Sequence, residues 1–247
     1  MKRTSIPWAG LSLAAAVAMA VPSNAQNNTP PATQKPAPGV VTPEANQRIN
    51  RAEFRREFDV RKLVADSSAA APLHKNATDI AECVLRRARA SAPDFLGGEL
   101  AGDPEYRRLS DALTGRHKRC AEINGEATAI AISGALAEQL VAASSPQLED
   151  RAPSVNEDDA RRFFGDLSGA VTLDNIAGCL AVYSPGLTYK VLSADVGSSE
   201  ETSSLGALYR QTPECHMADP PAEVPILYQR AALATALYEW TAGHPDG

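Results

Sequence analysis

The sequence predicts an all-α fold of two tandem helical repeats, each closed by an intra-repeat disulfide. Three observations carry this prediction. Apolar residues recur at spacings of three and four, and the alternation expected of a half-buried strand is missing. Four cysteines occur as Cys83, Cys120, Cys179 and Cys215, so the two intervals are 37 and 36 residues. The flanks of those cysteines match, because "DIAECVLRRARA" from Asp79 and "NIAGCLAVYSPG" from Asn175 share Ile-Ala-x-Cys and a following aliphatic residue. One offset near 96 also aligns Leu96 with Leu192, Leu113 with Leu208 and Leu136 with Leu233. Paired cysteines with matched spacing and flanks indicate an internal duplication.

The N-terminus reads as a targeting segment. Lys2 and Arg3 precede the apolar run "WAGLSLAAAVAMAV", which is short for a membrane span, and "SNA" at 23–25 offers small residues for a signal peptidase. Residues 1–25 are expected to be a signal peptide, cleaved to leave Gln26, with no transmembrane segment afterwards. Export to the periplasm or the extracellular medium follows from that expectation. Removal of Lys2 and Arg3 takes the formal charge from −6 to −8. Such a balance argues against non-specific nucleic-acid binding, which needs positive charge to displace counterions. The charge is uneven: residues 26–75 carry 8 basic and 5 acidic side chains, residues 157–247 carry 5 and 13. A solvated surface is the plain reading of this asymmetry, and a cationic partner is the alternative. Aromatic residues make up 5% of the chain, which disfavours the stacked sites that sugars and bases use.

Taken in order, residues 26–46 hold five prolines and little apolar bulk, and read as a disordered spacer. Residues 47–75 read as an amphipathic helix, about 45–66, with its connection; Ile49, Phe54, Phe58 and Val64 recur at helical spacing among charges. Residues 76–143 form the first repeat, 144–156 a linker and 157–247 the second repeat with a short tail. In each repeat a first helix carries the first cysteine, at about 77–91 and 174–184. A short helix follows, near 92–98 and from Pro185, where Ser184 and Pro185 give a helix-start signal. A third helix starts at Asp103 and Pro104 in one copy. In the other it starts at Ser198, with Glu201 completing a capping-box pattern. Gly115 ends the first of these. The second cysteine lies in a turn, and an Ala/Leu helix closes the unit at about 127–143 and 223–242. Asn156 reads as the cap of a short helix through Phe163 and Phe164. Only "GAVTLDN" reads as extended.

Four cysteines in an exported chain read as two disulfides with three possible connectivities. The duplication selects Cys83–Cys120 and Cys179–Cys215, since a single ancestral copy would have closed its own bridge. Each loop contributes roughly 4 kcal/mol in the chain-entropy model. No two cysteines have metal-site or Cys-x-x-Cys spacing, so neither a metal nor another cofactor is expected. His74, His117, His216 and His244 read as exposed polar residues, outside any zinc-hydrolase pattern. "GDLSGA" at 165–170 resembles a nucleophile elbow loosely, and "NEDDARR" at 156–162 places acids at a helix start. Catalytic residues stay unassigned, and the reading leans away from an enzyme.

The Ala-x-Cys helix, the cysteine some 35–40 residues on and the Ala/Leu helix "GALAEQL" together resemble a set of uncharacterised exported bacterial proteins. That resemblance implies an all-helical exported protein and assigns no functional residues. The second copy reads "AALAT" where the first reads "GALAE", so any role of Glu138 belongs to one copy only. The expected function is binding or scaffolding of a protein or envelope component. The alternatives are an envelope-polymer hydrolase with a dispersed site and a small-ligand carrier.

Overall fold

The computed structural model describes residues 60–96, 104–121, 128–144, 148, 155–165, 167 and 171–244. The expected signal peptide, the expected spacer and most of the helix expected at about 45–66 lie outside the described residues. Ten α-helices and three 3₁₀ segments account for the regular structure among the described residues, and no strand occurs there.

The last part of the amphipathic segment is helical, as α1 (Val60–Ala65). Asp66 accepts the Ser68 amide and caps the 3₁₀ turn Ser67–Ala69. That turn leads straight into α2 (Ala70–Ala88). The helix begins seven residues before the expected position 77. Pro72 falls in its first turn, where a missing N–H costs nothing, so the helix accommodates it. The expected boundary at 76 therefore falls inside α2. Leu73, Ala77, Ile80, Ala81 and Val84 form its buried stripe.

Arg89 ends α2 with φ 52° and ψ −120°, a left-handed backbone rare outside glycine, which costs about 1–3 kcal/mol. The expected second helix near 92–98 is instead a 3₁₀ segment, Arg89–Phe95. Pro93 restricts Ala92 and removes a donor, so a tight turn replaces an α-helix. Next come α3 (Pro104–Thr114), which begins on its proline as expected, and α4 (Lys118–Ala121), which carries Cys120. The proposed cap Asp103 lies outside the described residues. The Thr128 hydroxyl accepts the Ala131 amide and starts α5 (Ala129–Ser144).

In the second half, Asn156 caps α6 (Glu157–Phe164) through the Asp158 and Asp159 amides, as its sequence indicates. Thr172 is extended, but Leu173 onward is helical, so the "GAVTLDN" expectation fails beyond Thr172. The Thr172–Asn175 capping box starts α7 (Leu173–Tyr183) there. In α8 (Pro185–Ser193) the proline stands first, yet the Ser184 hydroxyl accepts from Thr212 Oγ1 at 2.7 Å and does not cap the helix. Ser198 caps α9 (Ser199–Gln211) through the Glu201 amide. The Glu201 carboxylate does not return to Ser198, as a full capping box requires; it accepts the Gly197 amide at 2.7 Å. Gly197 itself has φ 78°, and a Cβ there would stand 2.8 Å from the Ser67 carbonyl oxygen. The chain closes with α10 (Ile226–Gly243).

Two disulfides join the helices with the expected pairing. Cys83–Cys120 ties α2 to α4, with Cα atoms 5.5 Å apart. Cys179–Cys215 ties α7 to the 3₁₀ turn Pro213–Cys215, at 5.8 Å. Two apolar clusters form the interior, one around each bridge. The halves share them: Leu227, Tyr228 and Ala234 of α10 enter the first cluster, while Val141 of α5 enters the second. The helix α10 is buried on nearly every side, as a central helix must be. It crosses α5 where Gly134 meets Ala231. A Cβ on Gly134 would lie 2.5 Å from the Ala231 Cβ and 2.7 Å from its Cα. The small residues of "GALAEQL" and "AALATAL" are therefore what allows the two closing helices to touch.

Candidate functional site

Next to that crossing lies a cluster of buried charge. Arg230 stands on the α10 residue just before Ala231 and is 3% exposed. It points at the C-terminal end of α8, where helix carbonyls lack partners and the dipole is negative. Its Nη1 donates to the carbonyls of Val191 at 2.9 Å and Ala194 at 3.0 Å, and Nη2 donates to that of Leu192. Glu138 of α5 takes the guanidinium edge in a two-point pairing, Nε to Oε1 at 2.7 Å and Nη2 to Oε2 at 3.0 Å. Glu201 of α9, 1% exposed, accepts from Nη1 at 3.1 Å. One side chain thus holds α5, α8 and α9 against α10.

The cluster has one end near solvent. His74 Nε2 lies 3.2 Å from Glu138 Oε1, and these two side chains are 18% and 16% exposed. A carboxylate only accepts, so this ring nitrogen carries the proton. Burial pushes the Glu138 carboxyl up, but the His74 hydrogen bond and the Arg230 charge outweigh it and hold the group below its ordinary value. Burial likewise lowers Arg230, and its two carboxylates more than compensate. The formal charges of Arg230, Glu138 and Glu201 sum to one negative charge.

This arrangement is saturated. The carboxylates of Glu138 and Glu201 converge, as a dispersed hydrolase site would require, but they converge on a buried arginine whose donors are all used. Among the described residues no group of three His, Cys, Asp or Glu side chains could hold a metal ion. Among the described residues a cleft lies elsewhere, between α1, α9 and the loop before α10. It measures about 230 Å³ and is lined by Leu63, Val64, Leu205, Pro221, Ile226 and Gln229. Small-molecule sites usually span roughly 300–1,000 Å³.

Three of the histidines depart from the exposed positions expected of them. His74 is half-buried and paired, as described. His117 is 7% exposed, sits edge-on to Phe95 at 5.8 Å, and has no hydrogen-bond partner at either ring nitrogen among the described residues. The basic run "GRHKRC" suggested an exposed turn; the imidazole is instead folded under it, against the Cys120 corner. Burial, helped by the charges of Arg116 and Arg87, lowers its affinity for a proton. His244 stacks on Trp240 at 3.7 Å and its Nδ1 lies 3.0 Å from the Trp240 carbonyl. His216 is exposed as expected. In "NEDDARR" the acids pair with their own helix, Glu157 with Arg161 and Asp159 with Arg162. Ser168 of "GDLSGA" lies outside the described residues.

Sequence reasoning missed Arg230, though the residue left a signal. It is the single charge between Ile226 and Tyr238, in a helix that is otherwise apolar or small. A lone arginine in such a helix needs buried acceptors.

The fold and this cluster define a two-disulfide, all-helical protein whose halves are bridged by a buried arginine. No family model, curated protein or solved structure matches the chain. Among the described residues, no helix is long and apolar enough to cross a membrane.

Proposed function

We propose that this chain is an exported helical module that binds or scaffolds in the bacterial envelope, built from a duplicated unit around each disulfide. The seam carries the reading. Aligned on Leu136 and Leu233, at an offset of 97 where the cysteines give 96 and 95, the closing helices make Gly134 the counterpart of Ala231, and these two residues lie against each other. The same register pairs Ser133 with Arg230. Ser133 reaches the Phe95 carbonyl at 3.5 Å, and Arg230 reaches the carbonyl of Val191, the counterpart of Phe95 at the cysteine offset of 96. A duplicated unit that meets itself through equivalent positions, locked by a saturated ion cluster, suits a rigid frame that presents surfaces. Two disulfides fit an oxidising compartment. The carrier alternative would need a larger cavity than the cleft above. The hydrolase alternative would need carboxylates free to exchange protons.

The test is fractionation of the native host, mass spectrometry of the mature chain and in-cell crosslinking. The expected result is a chain beginning at Gln26, outside the cytoplasm, with Cys83–Cys120 and Cys179–Cys215 intact and one envelope component crosslinked at defined sites. Four free thiols, or an uncleaved chain in the cytoplasm, would overturn export. Release of soluble fragments from envelope polymer by the purified chain would replace scaffolding with hydrolysis.

A further inference from the structure

The exposed side chains next to the two disulfides carry opposite charge. At the first corner Arg87 lies one turn beyond Cys83, and Lys118 and Arg119 immediately precede Cys120. Arg116 sits 5.0 Å above the Phe95 ring, and both Arg87 and Arg116 bear on the buried His117 beneath them. Arg89 joins this set from its left-handed backbone. All five cations are exposed and none has a salt bridge among the described residues. The neutral imidazole below does nothing to balance them.

The second corner reads the other way. Glu214 immediately precedes Cys215, in the place that Arg119 takes before Cys120. Asp219 and Glu223 follow on the same segment. All three are exposed acids without a salt bridge among the described residues. Their neighbours Pro220, Pro221, Ala222 and Val224 line the apolar cleft against Leu63 and Val64, and Val64 is 43% exposed. An acidic segment beside an apolar cleft fits a side chain with a long apolar stem and a cationic head, which describes arginine.

We propose that copies of this chain dock head to tail, the basic corner at Cys83–Cys120 of one copy on the acidic segment after Cys215 of the next. The inference rests on the scaffold reading, for which it names a second copy as a partner. The interface is heterologous, so each copy keeps one unused face and assembly continues by addition. Complementary surface charge sets register and encounter rate and is screened by salt. The net charge of −8, which is −6 less Lys2 and Arg3, opposes association at long range. At about 0.1 M salt the screening length is about 10 Å, which suppresses that repulsion and leaves short-range attraction in place.

The experiment is sedimentation velocity on the signal-cleaved chain at about 0.1 M and about 1 M salt, over a range of protein concentrations. One variant neutralises the basic corner (Arg116→Gln, Lys118→Gln, Arg119→Gln). The other neutralises the acidic segment (Glu214→Gln, Asp219→Asn, Glu223→Gln). All six positions are exposed, and far-UV circular dichroism with intact disulfides checks the fold. The wild type is expected to form dimers and larger species at the lower salt and to return to monomer at the higher. Each variant alone stays monomeric, and an equimolar mixture gives a dimer that grows no further, because each variant keeps one competent face. A wild type that is monomeric at both salts overturns the proposal. So does association that either variant retains in full. Should the monomer bind vesicles rich in anionic phospholipid through the basic corner, that corner belongs to a membrane instead. None of these failures removes an envelope component captured by crosslinking, so the scaffold reading is tested separately.

Discussion

Arg230 and Glu138 meet through two hydrogen bonds, at 2.7 and 3.0 Å, across 92 residues of chain. The pair joins the closing helix of one disulfide-bridged half to that of the other. Removing one partner from a buried ion pair leaves an uncompensated charge, and that costs about 3–5 kcal/mol. Arg230→Met is therefore expected to destabilise by that amount, since it strands two carboxylates and three carbonyls. Glu138→Gln, which keeps one acceptor and loses one charge, costs less. Urea unfolding of both single variants and the double checks the order. Equal and additive losses would show that the two side chains act independently.

Gly134 is a second point of failure. A methyl there would press on the Ala231 Cα, which is backbone and has nowhere to go. Overpacking of this kind typically costs about 1–3 kcal/mol, so Gly134→Ala should fall within that range. The companion Ala231→Gly removes the clash with the Ala231 Cβ but not the clash with its backbone, so the pair of changes recovers part of the loss. Thermal unfolding of the three variants measures this. Full stability of Gly134→Ala alone would contradict the crossing geometry.

His117 sets a pH window. Its folded-state affinity for a proton is lowered, so the unfolded chain takes up the proton more readily. Stability is then complete above the unfolded value, about pH 6.5. It declines as the pH falls below that value, by at most about 1.4 kcal/mol per pH unit for one proton, and levels off below the folded-state value. His117→Phe keeps an aromatic ring beside Phe95 and removes the titration, so the slope in this window should flatten. The Glu138 contribution belongs to a more acidic window. Its folded-state value is depressed, so that contribution is present above the ordinary carboxylate range, about 4.3, and is lost as the pH falls through the folded-state value. Urea midpoints across pH separate the two. An unchanged slope in His117→Phe would assign the window to another group.

Local signals predicted local structure well. Asn156 and Ser198 cap the helices they were expected to cap, and Pro104 and Pro185 stand first in theirs. Matched spacing and matched flanks of the four cysteines together picked both bridges out of three connectivities, because they pointed to a repeated unit that closes on itself. The early start of α2 was not legible because a proline in a first helical turn looks the same in sequence as a proline that breaks a helix. Burial of His117 was hidden by its basic neighbours, which stay exposed while the ring turns inward. The Arg230 cluster depends on α5, α9 and the end of α8 arriving together. No spacing within one segment encodes that meeting, although an isolated charge in an Ala/Leu helix hinted at it.

The interior of both halves waits on the last helix to be made. Leu227, Tyr228 and Ala234 complete the first cluster, and Leu233, Leu237 and Trp240 complete the second. A chain emerging N-terminus first can close Cys83–Cys120 early, but its apolar surface stays open until residues 226–243 appear. The two halves are thereby coupled through residues 226–243, and a chain cut before Ile226 should lose the first cluster along with the second, as amide hydrogen exchange would report.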